Sequence, residues 1–208
     1  MNKKEELLHS ITKQQLQDVG KILAGSFADD PFWNKMLIDL DEVQKALFFQ
    51  CSIQYCMRYG KAYAASEVLK GIAGWVDSSK AKITVVRSIL SGSFFTMMHM
   101  GRYSMTKMKQ LMAMMEKLEK EKDKQMNEKD YIYFMIIGVQ KRFQGKGYGG
   151  KLISKIINES ETKKKSIYLE TTTENNVRLY EKYGFTVKTI IDFPEYQLRQ
   201  WGMERTIK

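Results

Sequence analysis

The chain has 208 residues, of which 43% are apolar and only two are proline, a composition that suits one well-packed α/β domain. No stretch approaches the roughly 20 apolar residues of a membrane span, and the first ten residues lack the apolar centre of a signal peptide. We therefore expect a cytoplasmic protein with no membrane partner. The net charge of +10 indicates affinity for anions, and composition alone does not separate nucleic acid from a smaller polyphosphate.

Neither a metal site nor a reactive cysteine is indicated. Cys51 and Cys56 are five residues apart and belong to no Cys/His cluster, so we expect reduced core residues and no metal. His9 falls in a segment predicted to fray. His99 stands among methionines, which favours a packed core histidine.

In the first third of the chain, apolar residues at three-and-four spacing predict helices over 12–27 and 41–58. Gly60 then ends the second helix, and the segments 62–65 and 68–76 predict two strands joined by a polar turn. These strands are expected to form a hairpin.

The segment of about 77–130 differs in pattern from the rest and is predicted to be a helical insertion. It contains a stripe of residues spaced by four and three, namely Phe94, Met98, Gly101, Met105, Met108, Met112 and Met115. This stripe predicts one long helix whose methionines lie in the core, or alternatively wall an apolar pocket. The mixed charges of 116–130 predict a solvated helix end.

The last third alternates strands and helices. Tyr131–Val139 and Ser166–Thr171 predict strands, and further strands are expected over 185–192 and 195–207. Helices are predicted after the glycines of 145–150 and over 174–183. The expected fold class is α/β (α+β), a mixed twisted sheet of about six to seven strands flanked by helices.

The glycine-rich segment after the strand Tyr131–Val139 is the most informative motif. The strand leads directly into a helix N-terminus through Gly145, Gly147, Gly149 and Gly150. Backbone without Cβ atoms can approach a phosphate closely, and helix N–H groups point at the charge. The spacing matches neither a P-loop nor a dinucleotide fingerprint. The alternative is a glycine-rich turn that holds no ligand.

Gln144, Gly147 and Gly149 match the Q/R-x-x-G-x-G/A motif, and here the chain resembles the GNAT acetyltransferase superfamily. The resemblance implies acetyl-CoA as the cofactor. It further implies that the cofactor contacts the strand end, the loop, the start of the helix and one later asparagine, namely Ile137, Gly138, Val139, Gln144, Gly145, Lys146, Gly147, Tyr148, Gly149, Gly150 and Asn176. The implied domain spans 1–208, with an acetyl-CoA-binding core of about 131–185.

Within this superfamily the segment 169–185 resembles the puromycin N-acetyltransferase branch. The similarity lies in LET followed by N-x-x-x-Y-E-x-x-G-F, and also in the segments 27–31 and 71–75. Two positions depart from the patterns. Thr173 stands where the superfamily often has an asparagine, although Asn176 fits the branch, and Tyr131 stands near where relatives often carry a histidine.

Two residues are expected to be catalytic, Tyr180 from the resemblance and Glu170 from its position at a strand end that faces the predicted cleft. Tyr180 is expected to protonate the leaving thiolate, and its alternative role is a core aromatic. Tyr183 is expected to be a core residue. Glu170 is expected to accept the amine proton or bind a cationic acceptor, and its alternative is a surface ion pair. The expected acceptor contacts are Asp29, Asp30, Phe32, Trp33 and Tyr131, although the first four also fit a turn with two buried rings.

The predicted activity is that of an acyltransferase, an N-acetyltransferase that transfers acetyl directly to an amine of a small molecule or peptide. One alternative is a non-catalytic sensor that binds acyl-CoA without turnover. Another is a basic protein associated with nucleic acid, but no nucleic-acid-binding module is apparent, so nucleic acid is not the expected partner. The protein is expected to be a monomer or a homodimer.

Overall fold

A computed structural model describes residues 8–101, 105–127 and 129–207. These residues build one seven-stranded sheet in the order β1-β2-β3-β4-β5-β7-β6. The strands are β1 (His9–Ser10), β2 (Gly60–Ala64), β3 (Gly71–Asp77), β4 (Tyr131–Val139), β5 (Ser166–Thr171), β6 (Thr186–Phe193) and β7 (Leu198–Arg205). Neighbouring strands are antiparallel except β4 and β5, which are parallel. This confirms the predicted mixed sheet.

Helices flank both faces of the sheet. They are α1 (Leu16–Ser26), α2 (Pro31–Met36), α3 (Glu42–Tyr59), α4 (Ser78–Ala81), α5 (Val85–Ser91), α6 (Ser93–Met98), α7 (Met105–Met126), α8 (Tyr148–Lys163) and α9 (Glu174–Glu181). Within the described ranges, each helix is too short or too polar to cross a membrane.

A capping box starts α3, and a glycine allows α1 to pack closely against it. Asp41 and Gln44 form a capping box at the start of α3, in which each side chain accepts a hydrogen bond from the other residue's backbone N–H. Helices α1 and α3 approach closely at Gly20, where an added Cβ would lie 2.4 Å from the carbonyl oxygen of Ala46. A side chain at this position would therefore force the two helices apart.

Residues of β4 and β5 alternate between two hydrophobic cores, because successive side chains of a strand point to opposite faces. Ile132 and Ile167 pack with α8 and α9 on one face. Tyr131 and Tyr168 pack on the other face with α1, α3 and α7. The two strands are thus buried on both sides.

The insertion differs from the single long helix that the methionine stripe predicted. Its described residues form four helices, α4 to α7, and α5 ends at Gly92, whose φ of +83° is left-handed. Helix α7 buries Leu111, Met114, Leu118, Lys122 and Met126, whereas Met112 and Met115 of the predicted stripe are exposed. The stripe was wrong because it joined α6 and α7 in one register, whereas α6 leaves Phe94 and Met98 exposed and α7 buries a different face.

Three smaller predictions were also wrong. The segment 116–130 is helical to Met126 and has a buried face, so it is not a wholly solvated end. His99 is exposed, and its ring nitrogen Nδ1 lies 2.7 Å from the carbonyl oxygen of Phe95 at the end of α6. His9 is not frayed, because it pairs with Ala64 in the edge strand β1.

Candidate active site

Strands β4 and β5 separate part of the way along their length. Their pairing covers only Tyr131, Ile132 and Tyr133, opposite Ser166, Ile167 and Tyr168. Beyond Tyr133, β4 continues to Val139 in contact with β3 on one side. Its other edge faces no strand among the described residues. The result is a split in the sheet where an extended ligand can pair with exposed backbone groups.

The glycine-rich segment lies where β4 ends at the split. The side-chain amide of Gln144 donates to the carbonyl oxygen of Val139 at 3.2 Å and holds the loop against the strand. Gly145 and Gly147 have φ values of +73° and +86°, and the Cβ positions of both face open space. Helix α8 starts directly afterwards, and its opening N–H groups have no acceptors within the helix.

The other two glycines of this segment have ordinary backbone angles. A Cβ on Gly150 would lie 2.6 Å from the hydroxyl oxygen of Tyr183, so the end of that half-buried side chain would have to shift to admit it. A Cβ on Gly149 would make only ordinary contact with Val139, at 3.5 Å. The open, exposed surface of this segment, residues 145–150, which we call the glycine loop, is therefore formed mainly by Gly145 and Gly147.

Cationic side chains and two aromatic rings lie around the glycine loop. The ammonium group of Lys70, before β3, donates to the hydroxyl of Tyr148 at 2.9 Å. Lys146 and Arg142 lie 5.5 Å and 4.8 Å from the ring centre of Phe143. These cations favour an anionic ligand. Sequence reasoning missed Lys70 and Phe143, because Lys70 comes from a distant turn and reaches the loop only in the fold.

Glu170 lies at the start of the split, two residues beyond the last paired residue of β5. The hydroxyl of Tyr133 donates to its carboxylate at 2.8 Å. Burial raises the pKa of Glu170 to about 7, although the nearby charge of Lys122 and the Tyr133 hydrogen bond oppose that rise. A carboxyl with this pKa can accept a proton near neutral pH. Glu170 is therefore not a simple surface ion pair.

Lys122 and Tyr133 are parts of this site that sequence reasoning missed. The side chain of Lys122 is 2% exposed, and its ammonium group lies 2.6 Å from Glu119 and 4.4 Å from the ring centre of Tyr133. The strand alternation that places Tyr131 on this face also places Tyr133 there, and this signal was available. No comparable signal marked Lys122, which stands among many charged residues.

Tyr131 lies on the same face of the sheet as Glu170 and is 6% exposed. Its ring contacts that of Tyr168 edge to face at 6.3 Å. Burial raises the pKa values of both hydroxyls, so both stay protonated at neutral pH. The hydroxyl of Tyr168 is buried and has no hydrogen-bond partner in the part of the chain that the structure describes.

Tyr180 reaches the sheet from the opposite face. It is 7% exposed and packs against Phe185, with ring centres 5.5 Å apart. Burial raises its pKa, and its hydroxyl has no hydrogen-bond partner within the described ranges. Asn176 lies one helical turn earlier and is half-buried, and its backbone N–H donates to Thr173, the N-cap of α9. Both side chains thus project from one face of α9.

The predicted acceptor contacts before and within α2 have structural partners. Asp30 caps α2 by accepting from the N–H groups of Phe32 and Trp33, and it also accepts from the hydroxyl of Thr172 just beyond β5. Asp29 is exposed and pairs with Lys141 at 2.6 Å. Phe32 is 1% exposed and lies in the core, so Trp33 is the more accessible ring.

The two cysteines are poorly placed to react, although Cys56 lies beside β4, with its Sγ 3.7 Å from the Sδ of Met135. Cys51 and Cys56 are free and buried in α3, as predicted. Burial raises the pKa of Cys51 to about 12 and raises that of Cys56 as well. Across the described ranges, no group of three or more His, Cys, Asp or Glu side chains is arranged to hold a metal ion.

Comparison with known sequences supports the resemblance drawn from the motifs. Residues 109–187 match the family model of the acetyltransferase (GNAT) domain. A segment of 59 residues is 39% identical to an uncharacterized N-acetyltransferase of Schizosaccharomyces pombe. That segment is 28% of this chain and 24% of the relative, so the chain spans about a quarter of that protein.

Comparison with solved structures covers almost the whole chain. The arylalkylamine N-acetyltransferase 2 of Aedes aegypti superposes with a TM-score of 0.71 at 18% identity, covering 97% of this chain and 99% of that one. A Corynebacterium glutamicum protein described as histone acetyltransferase HPA2 and related acetyltransferase gives 0.65 at 15% identity, covering 98% and 97%. The chain therefore has the GNAT fold, and its segment 109–187 is similar to the GNAT acetyltransferase domain. Neither comparison is specific to the puromycin branch.

Proposed function

We propose that this protein is an acetyl-CoA-dependent N-acetyltransferase that transfers acetyl directly to an amine. The observation that carries the proposal is the split between β4 and β5. The glycine loop lies at the end of β4, and Glu170 lies on β5 where the split begins. An extended acyl thioester fits between these two ends.

Acetyl-CoA supplies the activated acetyl group, and the residues of the split suit its parts. The N–H groups at the start of α8 and the cations near Phe143 favour its phosphates. The unpaired edge of β4 offers backbone groups to its extended arm through Ile137 and Val139. Asn176 and Tyr180 approach from α9.

Two side chains suit the two proton transfers of such a reaction. The carboxylate of Glu170, with its pKa of about 7, accepts the proton of the amine. Burial raises the pKa of Tyr180, so its hydroxyl still carries at neutral pH the proton that we propose the leaving thiolate accepts. Tyr131 and Trp33 border the acceptor side.

The cysteines favour direct transfer over an acetyl-enzyme. Cys51 and Cys56 are buried, and their raised pKa values leave little thiolate at neutral pH. Within the described ranges, these are the residues whose chemistry best suits a covalent acetyl intermediate. Stable acetyl trapped on the protein after incubation with labelled acetyl-CoA would contradict direct transfer.

The proposed acceptor is an amine of a small molecule or a peptide. The similarity to a protein named arylalkylamine N-acetyltransferase supports an amine acceptor only at this level, because one fold serves many acceptors. The spacing of Asn176 and Tyr180 and the LET motif at 169–171 further suggest the puromycin N-acetyltransferase-like branch.

The test is a calorimetric titration with acetyl-CoA, followed by an amine screen that detects released thiol in the same buffer. We expect saturable binding and turnover on at least one amine. Binding without turnover on any amine favours the acyl-CoA sensor instead. No binding would overturn the proposal. A gel shift with nucleic acid at rising salt tests the remaining alternative, because binding to phosphates weakens steeply with salt.

A further inference from the structure

Helix α7 carries an ion pair, Lys122 with Glu119, that lies next to Tyr133 of the candidate site. Lys122 and Glu119 lie one turn apart, with their charged atoms 2.6 Å from each other. The lysine side chain is 2% exposed and the glutamate side chain 27%. Burying a lysine ammonium is costly unless it is paired. The ion pair therefore requires an explanation beyond ordinary surface charge.

The pair contacts the residue that holds Glu170. The ammonium group of Lys122 lies 4.4 Å from the ring centre of Tyr133, and the hydroxyl of that ring donates to Glu170 at 2.8 Å. A chain of contacts therefore runs from α7 through a β4 tyrosine to the β5 carboxyl. Helix α7 belongs to the insertion, so the insertion reaches the predicted base.

We propose that Lys122 is a positioning residue for Glu170: its ammonium, held by Glu119 and seated on the ring of Tyr133, sets the charge and orientation around the carboxyl. This inference rests on the proposed function, in which Glu170 accepts the amine proton. Lys122 itself contacts neither reactant.

The other groups around Glu170 are compatible with this role. They are Glu119 and Lys122 of α7, Tyr131 and Tyr133 of β4, and Tyr168 of β5, while its partner on β7 is Gly202, which carries no side chain. Glu204, further along β7, is paired by Lys129 and Lys188. Lys122 is therefore the cation whose charge acts on Glu170, and Glu119 acts in the opposite sense.

The opposite signs of these two charges define the test. Lys122→Met removes the cation with little change of side-chain length, and Glu119 can turn to water because it is partly exposed. The midpoint of Glu170 titration should rise by about one pH unit. Glu119→Gln should lower it, Lys122→Arg should restore the parent value, and the double variant should fall between. Generic loss of packing cannot produce shifts of opposite sign.

The measurements are carboxyl-carbon NMR titration of Glu170 in the free protein and the acid limb of kcat/KM against pH. The exposed pair Glu116 and Lys120 on the same helix, 2.8 Å apart, provides the control. Glu116→Gln and Lys120→Met should leave both midpoints unchanged. An unshifted Glu170 midpoint, or shifts of the same sign in both α7 variants, would overturn the role of Lys122.

A third result separates this inference from the proposed function. If the NMR midpoints shift in opposite directions while the pH profile of activity stays fixed, the link from Lys122 to Glu170 holds. The role of Glu170 as the base then fails. If neither variant binds acetyl-CoA or turns over any amine, the NMR titration still decides the matter on its own.

Discussion

The two faces of β4 and β5 differ in chemistry although alternate residues of the same two strands build both. The face under α7 carries polar and aromatic groups, namely Tyr131, Tyr133, Tyr168 and Glu170. The face under α8 and α9 carries apolar groups, namely Ile132, Phe134, Ile167 and Leu169. One face is joined by hydrogen bonds and buried charge, and the other by apolar packing.

This difference separates the two proton-transfer groups of the proposed reaction. Glu170 lies on the polar face, while Tyr180 enters from α9 among the apolar residues. Burial raises the pKa of both groups. The carboxyl thereby becomes a better base near neutral pH, and the phenol keeps its proton. Burial thus strengthens the base on one side of the split, whereas on the other side it keeps the phenol protonated but makes it a weaker acid.

The largest expected effect comes from the polar face. Glu170→Gln keeps an acceptor for the Tyr133 hydroxyl but removes the base, so kcat/KM should fall by about 100-fold or more above pH 7. The measurement is thiol release with the best acceptor from the screen. Glu174→Gln, at an exposed position of α9, is the control and should behave as the parent.

The same variant sharpens the pH dependence. Because the pKa of Glu170 is raised to about 7, the carboxyl is protonated below that pH. The parent kcat/KM should therefore fall about tenfold per pH unit as the pH drops below 7. Glu170→Gln should lose this limb. A limb that persists in the variant would assign the titration to another group, including the amine itself.

On the apolar face, Tyr180→Phe removes a hydroxyl without removing the packed ring. We expect kcat to fall by about tenfold to 100-fold, with acetyl-CoA affinity unchanged, if the hydroxyl protonates the thiolate. Tyr183→Phe is the matched control, because its hydroxyl contacts Gly150 at the start of α8. Equal losses in both variants would reduce Tyr180 to a core aromatic.

The glycine loop after β4 belongs to neither face of the sheet, and a smaller effect is expected there. Gly147→Ala places a Cβ on a residue with φ of +86°, which strains the backbone by about 1–2 kcal/mol. Acetyl-CoA affinity should weaken about tenfold, measured by calorimetry. Gly25→Ala is the control, since that position lies in α1 with ordinary φ and open space around it. Unchanged affinity would contradict the role of the glycine loop in binding acetyl-CoA.

The smallest effect is expected where α2 joins the end of β5. Asp30→Ala removes the cap of α2 and the partner of Thr172, so the free energy of unfolding should fall by about 1 kcal/mol. Asp29→Ala removes only an exposed ion pair with Lys141 and should change stability by less than 0.5 kcal/mol. Denaturant unfolding measures both. Equal losses would contradict the capping role.

Sequence reasoning was most accurate where local patterns were strong. It predicted β4 and β5 with the bounds that the structure shows, together with the glycine loop and the helix that follows. Tyr133 was missed although strand alternation places it beside Tyr131 on one face. The insertion was predicted as helical, but its single long helix was wrong because Gly92 and Gly101, with φ values of +83° and +70°, interrupt it.

The sequence by itself determined the elements of the split, because glycine conformational freedom, strand alternation and capping act over a few residues. Only the tertiary structure decided which distant groups meet there. Lys70 reaches Tyr148 across the fold, and Lys122 becomes buried because α7 packs across the sheet over Tyr133. A lysine among many charged residues carries no local sign of its burial. Its burial depends on how α7 packs against the sheet, which no local sequence pattern specifies.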